Sequence, residues 1–245
     1  MTSPAERDAI CTYLEWDSNF FEKRIARLNR SRLNDATVTE SHAWCDRNRI
    51  DCLYFLADAD HRETPRLAAE HDFLLVDIRV TLERCISDLD EHAPSPEIRL
   101  GREDDLATLR AIAASGHRDT RFYFDGHFDR TKCDSLYETW IENSFRGFAQ
   151  AVLVAEVGGK VAAYLTCHLK QRQSQIGLVA VGNGNRGEGL GGKLVRGFFS
   201  WSRDHGATRA SVVTQGRNLP AQRLYQRNGF VTASLQLWYH RWFSR

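Results

Sequence analysis

The chain has 245 residues, 42% of them hydrophobic and 27% charged, and its formal net charge is +1. This length allows one large or two modest domains, and the balanced charge excludes nucleic acid or an anionic membrane as the expected main partner. No segment reaches about 18 apolar residues, and the N-terminus lacks the apolar core of a signal peptide. We therefore expect a soluble, cytoplasmic protein without a membrane-spanning helix.

The cysteine pattern argues against a disulfide framework and against a zinc site. No CxxC pair occurs, and the residues are scattered along the chain, as is typical of buried thiols in a reducing compartment. We expect no metal site. The six cysteines are Cys11, Cys45, Cys52, Cys85, Cys133 and Cys167.

Alternating strands and helices are predicted in the first region, residues 1–93. Its clearest elements are strand Ile50–Ala57, helix Thr64–His71 and strand Leu74–Cys85. Pro94-Ser95-Pro96 is the natural linker to a second region, residues 97–245. We expect a smaller αβ domain followed by a larger one.

The second region begins with a predicted strand and helix over Glu97–Arg110. A charged, aromatic loop follows at Arg118–Phe128, then a helix at Lys132–Phe145. A hairpin of Ala151–Glu156 and Lys160–Leu169 turns at Gly158-Gly159, and Ile176–Val181 is the next strand. This order predicts an α/β (α+β) fold with a mixed, mostly antiparallel sheet flanked by helices.

A glycine-rich turn lies between strand Ile176–Val181 and a predicted helix, Lys193–Trp201, whose apolar face is Leu194, Val195, Phe198 and Trp201. Such a turn directs free backbone N–H groups and the positive end of the helix dipole at one point, which suits a phosphate or pyrophosphate. No Lys-Ser or Lys-Thr follows the last glycine, so the Walker pattern is absent, and the spacing does not fit the dinucleotide fingerprint.

Two motifs in this region resemble the GNAT family of N-acetyltransferases. The first is R-x-x-G-x-G, at Arg186, Gly189 and Gly191. The second is N-x-x-A-x-x-L-Y-x-x-x-G-F over 218–230, after strand Thr208–Thr214 and before strand Val231–Trp242. Asn218 is also a good helix N-cap, with Pro220 in the first turn. The resemblance implies the GNAT fold, preceded here by the smaller αβ domain, and acetyl-CoA as co-substrate.

In this family the strand before the turn separates from its neighbour and leaves backbone groups free for the pantetheine amides. By resemblance, Tyr225 donates the proton to the departing thiolate, and Asn218 contacts CoA. The remaining coenzyme contacts expected are Val179, Ala180 and Val181 for the pantetheine arm, and Arg186, Gly187, Glu188, Gly189, Leu190, Gly191 and Gly192 for the pyrophosphate.

The acceptor amine is less clear from the residues. The loop before the second helix shapes the acceptor pocket in GNAT enzymes, and here Arg121, Tyr123 and Asp125 are of the kind that holds a sugar phosphate and an amine. Each is equally compatible with a solvated surface loop. The general base is left open among His168, Glu156, His127 and Asp125.

The whole chain is similar to bacterial dTDP-4-amino-4,6-dideoxygalactose (TDP-fucosamine) N-acetyltransferases. The matching features are W-D-S-N-F-F at 16–21, the loop 115–128, and Trp140–Asn143 with Arg146-Gly147; the loop Gly182–Arg186 is longer here. This similarity implies a nucleotide amino sugar as the small-molecule acceptor, with a related amino-sugar nucleotide equally open. Alternatives are a protein N-terminus or another small amine as acceptor, and a non-catalytic CoA-binding protein.

The two regions contain strand–helix–strand segments that resemble each other. Strand, helix and strand over 50–85 have the same order as those over 208–242, and both helices are followed by a phenylalanine, Phe73 or Phe230. We interpret the first region as a shortened GNAT-like copy without a phosphate loop, which would shape the acceptor side or a homodimer contact.

Overall fold

The computed structural model describes residues 9–86 and 95–244. The strands follow the order expected from the hydrophobic pattern, and Leu74–Cys85 and Val231–Trp242 have the predicted bounds. The strands are β1 Cys11–Tyr13, β2 Ile25–Leu28, β3 Cys52–Asp58, β4 Leu74–Cys85, β5 Ile98–Leu100, β6 Ala151–Val157, β7 Lys160–Lys170, β8 Gln173–Val181, β9 Arg209–Gln215 and β10 Val231–Trp242.

Helices occupy most of the connections between these strands. They are α1 Glu15–Phe21, α2 Asp35–Arg47, α3 Glu63–Glu70, α4 Leu106–Gly116, α5 Arg121–Asp125, α6 Arg130–Asn143, α7 Leu190–Asp204 and α8 Leu219–Arg227. One prediction was wrong here, because residues 121–125 form a short helix inside the segment expected to be a loop. Gly126, with a φ of 81°, ends that helix in the left-handed conformation.

The first compact unit consists of residues 9–79, 120–132 and 235–244 of the described chain. Its strand order is β1-β2-β3-β10-β4. β2 and β3 are parallel, whereas β1 pairs antiparallel with β2, and β10 pairs antiparallel with β3. β3 is buried along nearly its whole length, as expected for a strand covered on both faces. Its side chains Leu53, Phe55 and Ala57 pack with Phe73 and Tyr239 in the core of this unit.

The second compact unit contains residues 80–86, 95–119 and 133–234 of the described chain. Its strand order is β4-β9-β8-β7-β6-β5, with β5 to β8 antiparallel and β8 parallel to β9. The predicted apolar face of α7 is confirmed, since Leu194, Val195, Phe198 and Trp201 are all buried in the core of this unit. The mixed, mostly antiparallel sheet with flanking helices is the expected GNAT fold.

The two units do not coincide with the two regions expected from the sequence. Segments 120–132 and 235–244, both in the expected second region, belong to the first unit, and β4 and β10 contribute residues to both units. The expected boundary at residue 93 lies outside the described residues. The domain division at 93–97 therefore stays a prediction.

All six cysteines lie within the described residues and none forms a disulfide there; five of them are buried, while Cys85 is exposed. Within residues 9–86 and 95–244, no helix combines the length and the apolar character needed to cross a bilayer.

Candidate functional site

The end of β8 has an open backbone edge in the second unit. The described pairing of β8 with β9 covers Gln173–Ile176 and ends there. On its other side, β8 stays paired with β7 as far as Val181, and Ala180 lies opposite Tyr164. Because unpaired N–H and C=O groups need hydrogen-bond partners, the free edge over 177–181 offers them to an amide-containing ligand. The expected pantetheine contacts, 179–181, lie on this edge.

The glycine-rich turn follows directly. After a short 3₁₀ turn at Asn183–Asn185, the backbone reaches Gly189, which precedes the first residue of α7 with a φ of 76°. A Cβ built on Gly189 would meet no atom within 4 Å, so the space beside the helix start is open. α7 begins at Leu190, three residues before the predicted start, so Gly191 and Gly192 lie in its first turn. Their N–H groups are among those without an acceptor inside the helix.

Arg186, Gly187 and Glu188 complete the turn, and all three are exposed. Gly191 lies close to α8, because a Cβ there would be 3.1 Å from a methyl carbon of Leu224. Glycine at this position therefore allows the two helices to approach each other. The seven turn residues expected to hold the pyrophosphate are contiguous and surround one helix start.

Asn218 has the predicted capping role, since its Oδ1 accepts a hydrogen bond from the Ala221 N–H at 3.1 Å. This bond explains the residue type by itself, and the contact between Asn218 and CoA stays a prediction.

Tyr225 lies on α8 and is buried, with 5% of its surface exposed. Its ring contacts Phe230 edge-on at 5.8 Å between centroids. Burial raises the pKa of the phenol well above its usual value, so the hydroxyl keeps its proton at neutral pH. A phenol in this state is neutral and can donate a hydrogen bond to a developing negative charge.

The three expected acceptor contacts lie together on α5, in the first unit, but their environments differ. The guanidinium of Arg121 is 4.3 Å from the ring centres of Phe122 and Trp238, a cation–π arrangement. Tyr123 is partly exposed, with the guanidinium of Arg130 5.5 Å from its ring centre. Both contacts with substrate stay predictions.

The carboxylate of Asp125 is hydrogen-bonded to three protein side chains. Its buried carboxylate accepts hydrogen bonds from Nδ1 of His240, from Nε1 of Trp242 at 2.9 Å and from Nδ1 of His127 at 2.6 Å. Burial would raise the pKa of Asp125, but these bonds, that of His240 first, outweigh it and hold the pKa below its usual value. This geometry favours a structural role for Asp125, although its contact with substrate is still a prediction.

Two of the base candidates, His168 and Glu156, lie on β7 and β6. His168 lies opposite Gln175 in the β7–β8 register, and its imidazole lies beside Gly177, since a Cβ built there would be 2.4 Å from Nε2. Glu156 is bound by Arg99 at 2.6 Å.

The structure also assembles three aromatic groups that no sequence pattern indicated. His117 follows the end of α4, its Nε2 is 2.9 Å from the hydroxyl of Tyr164, and its ring stacks on Tyr137 at 4.5 Å. A lone histidine at a helix end carries no motif, so only the fold could identify it.

Comparison with known sequences agrees with this geometry. Residues 115–230 match the Acetyltransferase (GNAT) family. The chain is 25% identical over 153 residues to the spore coat polysaccharide biosynthesis protein SpsD of Bacillus subtilis, covering 62% of this chain and 53% of SpsD. The match thus spans about half the length of that relative. A second Bacillus subtilis protein, provisionally named a [ribosomal protein bS18]-alanine N-acetyltransferase, is 29% identical over 107 residues, or 44% of this chain and 68% of its own.

Among solved structures, a GCN5-related N-acetyltransferase from Sphaerobacter thermophilus superposes with a TM-score of 0.64 at 14% identity. The superposition covers 95% of this chain and 76% of that one. At this identity the likeness shows the fold, and the family match covers the β8 edge, the glycine-rich turn and Tyr225. Residues 115–230 are therefore similar to the GNAT family of acetyltransferases, and the chain has the GNAT fold.

Proposed function

We propose that this protein transfers the acetyl group of acetyl-CoA to the primary amine of a nucleotide-activated amino sugar of the dTDP-4-amino-4,6-dideoxygalactose type. The observation that carries the proposal is the free edge of β8 next to an open, glycine-rich helix start. The two features are consecutive in the chain, as a ligand with an amide-containing arm joined to a diphosphate requires.

In this proposal the diphosphate of the coenzyme lies at the start of α7. The backbone N–H groups of Gly187–Gly192 and the helix dipole stabilise its negative charge, and Arg186 adds a positive charge. The pantetheine amides pair with the edge of Val179–Val181 and extend the sheet by one strand. Such positioning of the thioester lowers the barrier to acyl transfer by as much as roughly 7–11 kcal/mol.

The chemical step is attack of a neutral amine on the thioester carbonyl. The C–N bond forms, the C–S bond breaks, and the thiolate takes the proton of Tyr225. A thiol has a pKa of about 8.5 and a phenol about 10, so the transfer is uphill by about 2 kcal/mol and requires direct contact between the two groups. The raised pKa of Tyr225 keeps the donor protonated and makes it a weaker acid, so contact with the developing thiolate has to offset that cost.

The acceptor class rests on resemblance. The sequence is similar to TDP-fucosamine acetyltransferases along its length, and the relative SpsD is named for polysaccharide biosynthesis. Arg121 and Tyr123 are the proposed contacts for the sugar nucleotide, and they lie on α5 with Asp125.

One alternative is acetylation of a protein N-terminus, which the similarity to the provisionally named alanine N-acetyltransferase favours. Another is a protein that binds CoA without catalysis. Both retain the coenzyme site. The first differs from the main proposal in the acceptor, and the second carries out no acyl transfer.

The test is a panel of nucleotide amino sugars, small amines and alanine-initiated peptides, each incubated with acetyl-CoA. Thiol release gives the rate, and mass spectrometry identifies the acetylated product. We expect N-acetylation of a dTDP-amino sugar and none of the peptides. Acetylated peptide without acetylated sugar would establish the first alternative, and coenzyme binding without thiol release would establish the second.

A further inference from the structure

On the basis of the proposed function, His117 is the residue of interest for the proton that leaves the amine. Two contacts hold the imidazole. Its Nε2 is 2.9 Å from the hydroxyl of Tyr164 on β7, and its ring is stacked on Tyr137 of α6 at 4.5 Å with an interplanar angle of 15°. The ring is therefore fixed in orientation, while the residue keeps partial exposure.

The hydrogen-bond partner of His117 and the residue before it in the chain both lie next to Ala180 on β8. Tyr164, its hydrogen-bond partner, lies opposite Ala180 in the β7–β8 register. Gly116, the residue before it, packs directly on Ala180, because a Cβ at Gly116 would come within 2.9 Å of the Ala180 Cβ. His117 is thus tied by two routes to the middle of the edge proposed to hold the thioester arm.

The groups around the imidazole of His117 determine its protonation state. The groups facing His117 are phenols, Tyr164 from β7 and Tyr137 from α6, and burial raises the pKa of Tyr164. Desolvation lowers the pKa of His117 to about 4. The imidazole is therefore neutral at neutral pH, and when Nε2–H donates to Tyr164, Nδ1 presents a lone pair.

We propose that Nδ1 of His117 contacts the acceptor amine and takes its proton during acyl transfer. An imidazole of low basicity does not deprotonate a free ammonium group. It accepts the more acidic proton that the nitrogen carries once the C–N bond has formed. The C–S bond then breaks, Tyr225 protonates the thiolate, the imidazolium releases its proton to solvent, and the phenolate regains one from solvent.

A matched pair of variants tests this assignment. His117→Gln keeps a polar group near the position of Nε2 but none at Nδ1, whereas His117→Asn keeps one near Nδ1. With the acceptor identified above, we expect His117→Gln to lower kcat by about 100-fold, in the range of general-base contributions. His117→Asn should lose less, and acetyl-CoA affinity should change by less than about twofold in both. Added imidazole should restore activity to His117→Ala, which a merely structural role would not allow.

Two further variants keep the test decisive if substitutions at His117 impair folding. Tyr164→Phe removes the anchoring hydroxyl and should lower kcat several-fold without changing KM for acetyl-CoA. The control is His205→Gln, at the exposed end of α7, which should leave kcat unchanged.

The outcomes separate this inference from the proposed function. Wild-type turnover with an unchanged kcat in His117→Gln, or in Tyr164→Phe where the first variant is unfolded, overturns the role of His117 alone. Wild-type protein that releases no thiol with any acceptor overturns both.

Discussion

Tyr225 is the residue on which the chemistry depends most. In Tyr225→Phe the ring keeps its packing against Phe230, and only the hydroxyl is lost. We expect kcat to fall by well over tenfold, because the thiolate loses its proton donor, while the affinity for acetyl-CoA changes little. Steady-state kinetics and calorimetric binding of the coenzyme measure the two effects. Unchanged turnover would remove Tyr225 as the acid.

Asp125 has protein hydrogen-bond partners that make a contribution to stability testable. In Asp125→Asn the amide places a donor where the carboxylate accepts from His240 and Trp242. A buried group left unsatisfied costs about 1–3 kcal/mol, so the free energy of unfolding should fall by about that amount.

Urea denaturation of Asp125→Asn measures this loss. The control is His127→Gln, which changes the half-exposed partner of the same carboxylate and should be nearly neutral. Full stability in Asp125→Asn would mean that the carboxylate is free for another role.

At the scale of the element, the start of α7 carries the coenzyme prediction. Gly189 and Gly206 lie at opposite ends of α7, with φ of 76° and 74° and open space beside each. Alanine at either position takes a left-handed backbone that costs roughly 1–2 kcal/mol. We expect both variants to lose similar stability, but only Gly189→Ala to lose acetyl-CoA affinity, by at least about fivefold. Equal affinities of the two variants would contradict the placement of the diphosphate.

The two strand–helix–strand segments of similar order can also be compared element by element. β3, α3 and β4 have 7, 8 and 12 residues, and β9, α8 and β10 have 7, 9 and 12. A residue with positive φ, Asp72 or Gly229, precedes a buried phenylalanine in each. We propose that the first segment is a shortened GNAT-like copy without coenzyme binding. Hydrogen exchange with acetyl-CoA should show protection at 177–192 and none at 59–73, and protection at both would refute it.

For the whole molecule, two imidazoles predict a loss of stability in mild acid. The pKa of His117 is lowered to about 4, and burial also lowers that of His240. Unfolded chain protonates both below about pH 6.5, whereas the folded chain keeps them neutral until the pH approaches the folded values. Stability is therefore complete above about pH 6.5 and falls between about pH 6.5 and 4, by up to about 3 kcal/mol for His117.

Melting temperatures between about pH 7.5 and about pH 5 measure this effect. The dependence should be shallower in His117→Gln, which no longer titrates at that position. A melting temperature that is constant over this interval would show that the imidazoles are not held neutral.

Local patterns were sufficient for most elements and for the coenzyme motif. Alternation and β-branched content located β4 and β10, and Asn218 with Pro220 located the start of α8. The segment 121–125 was missed, because its aromatic and charged residues show no helical period. The glycine-rich turn could be found because its chemistry depends on consecutive backbone groups.

The sequence by itself determined the order of elements, the glycine-rich turn and the position of Tyr225, because each depends on neighbours along the chain. Only the tertiary structure decided the separation of β8 from β9, the occupation of Asp125 by His240, and the meeting of His117 with Tyr164. The two contacts join residues 47 and 115 positions apart, and neither composition nor spacing encodes which distant groups the packed fold brings together.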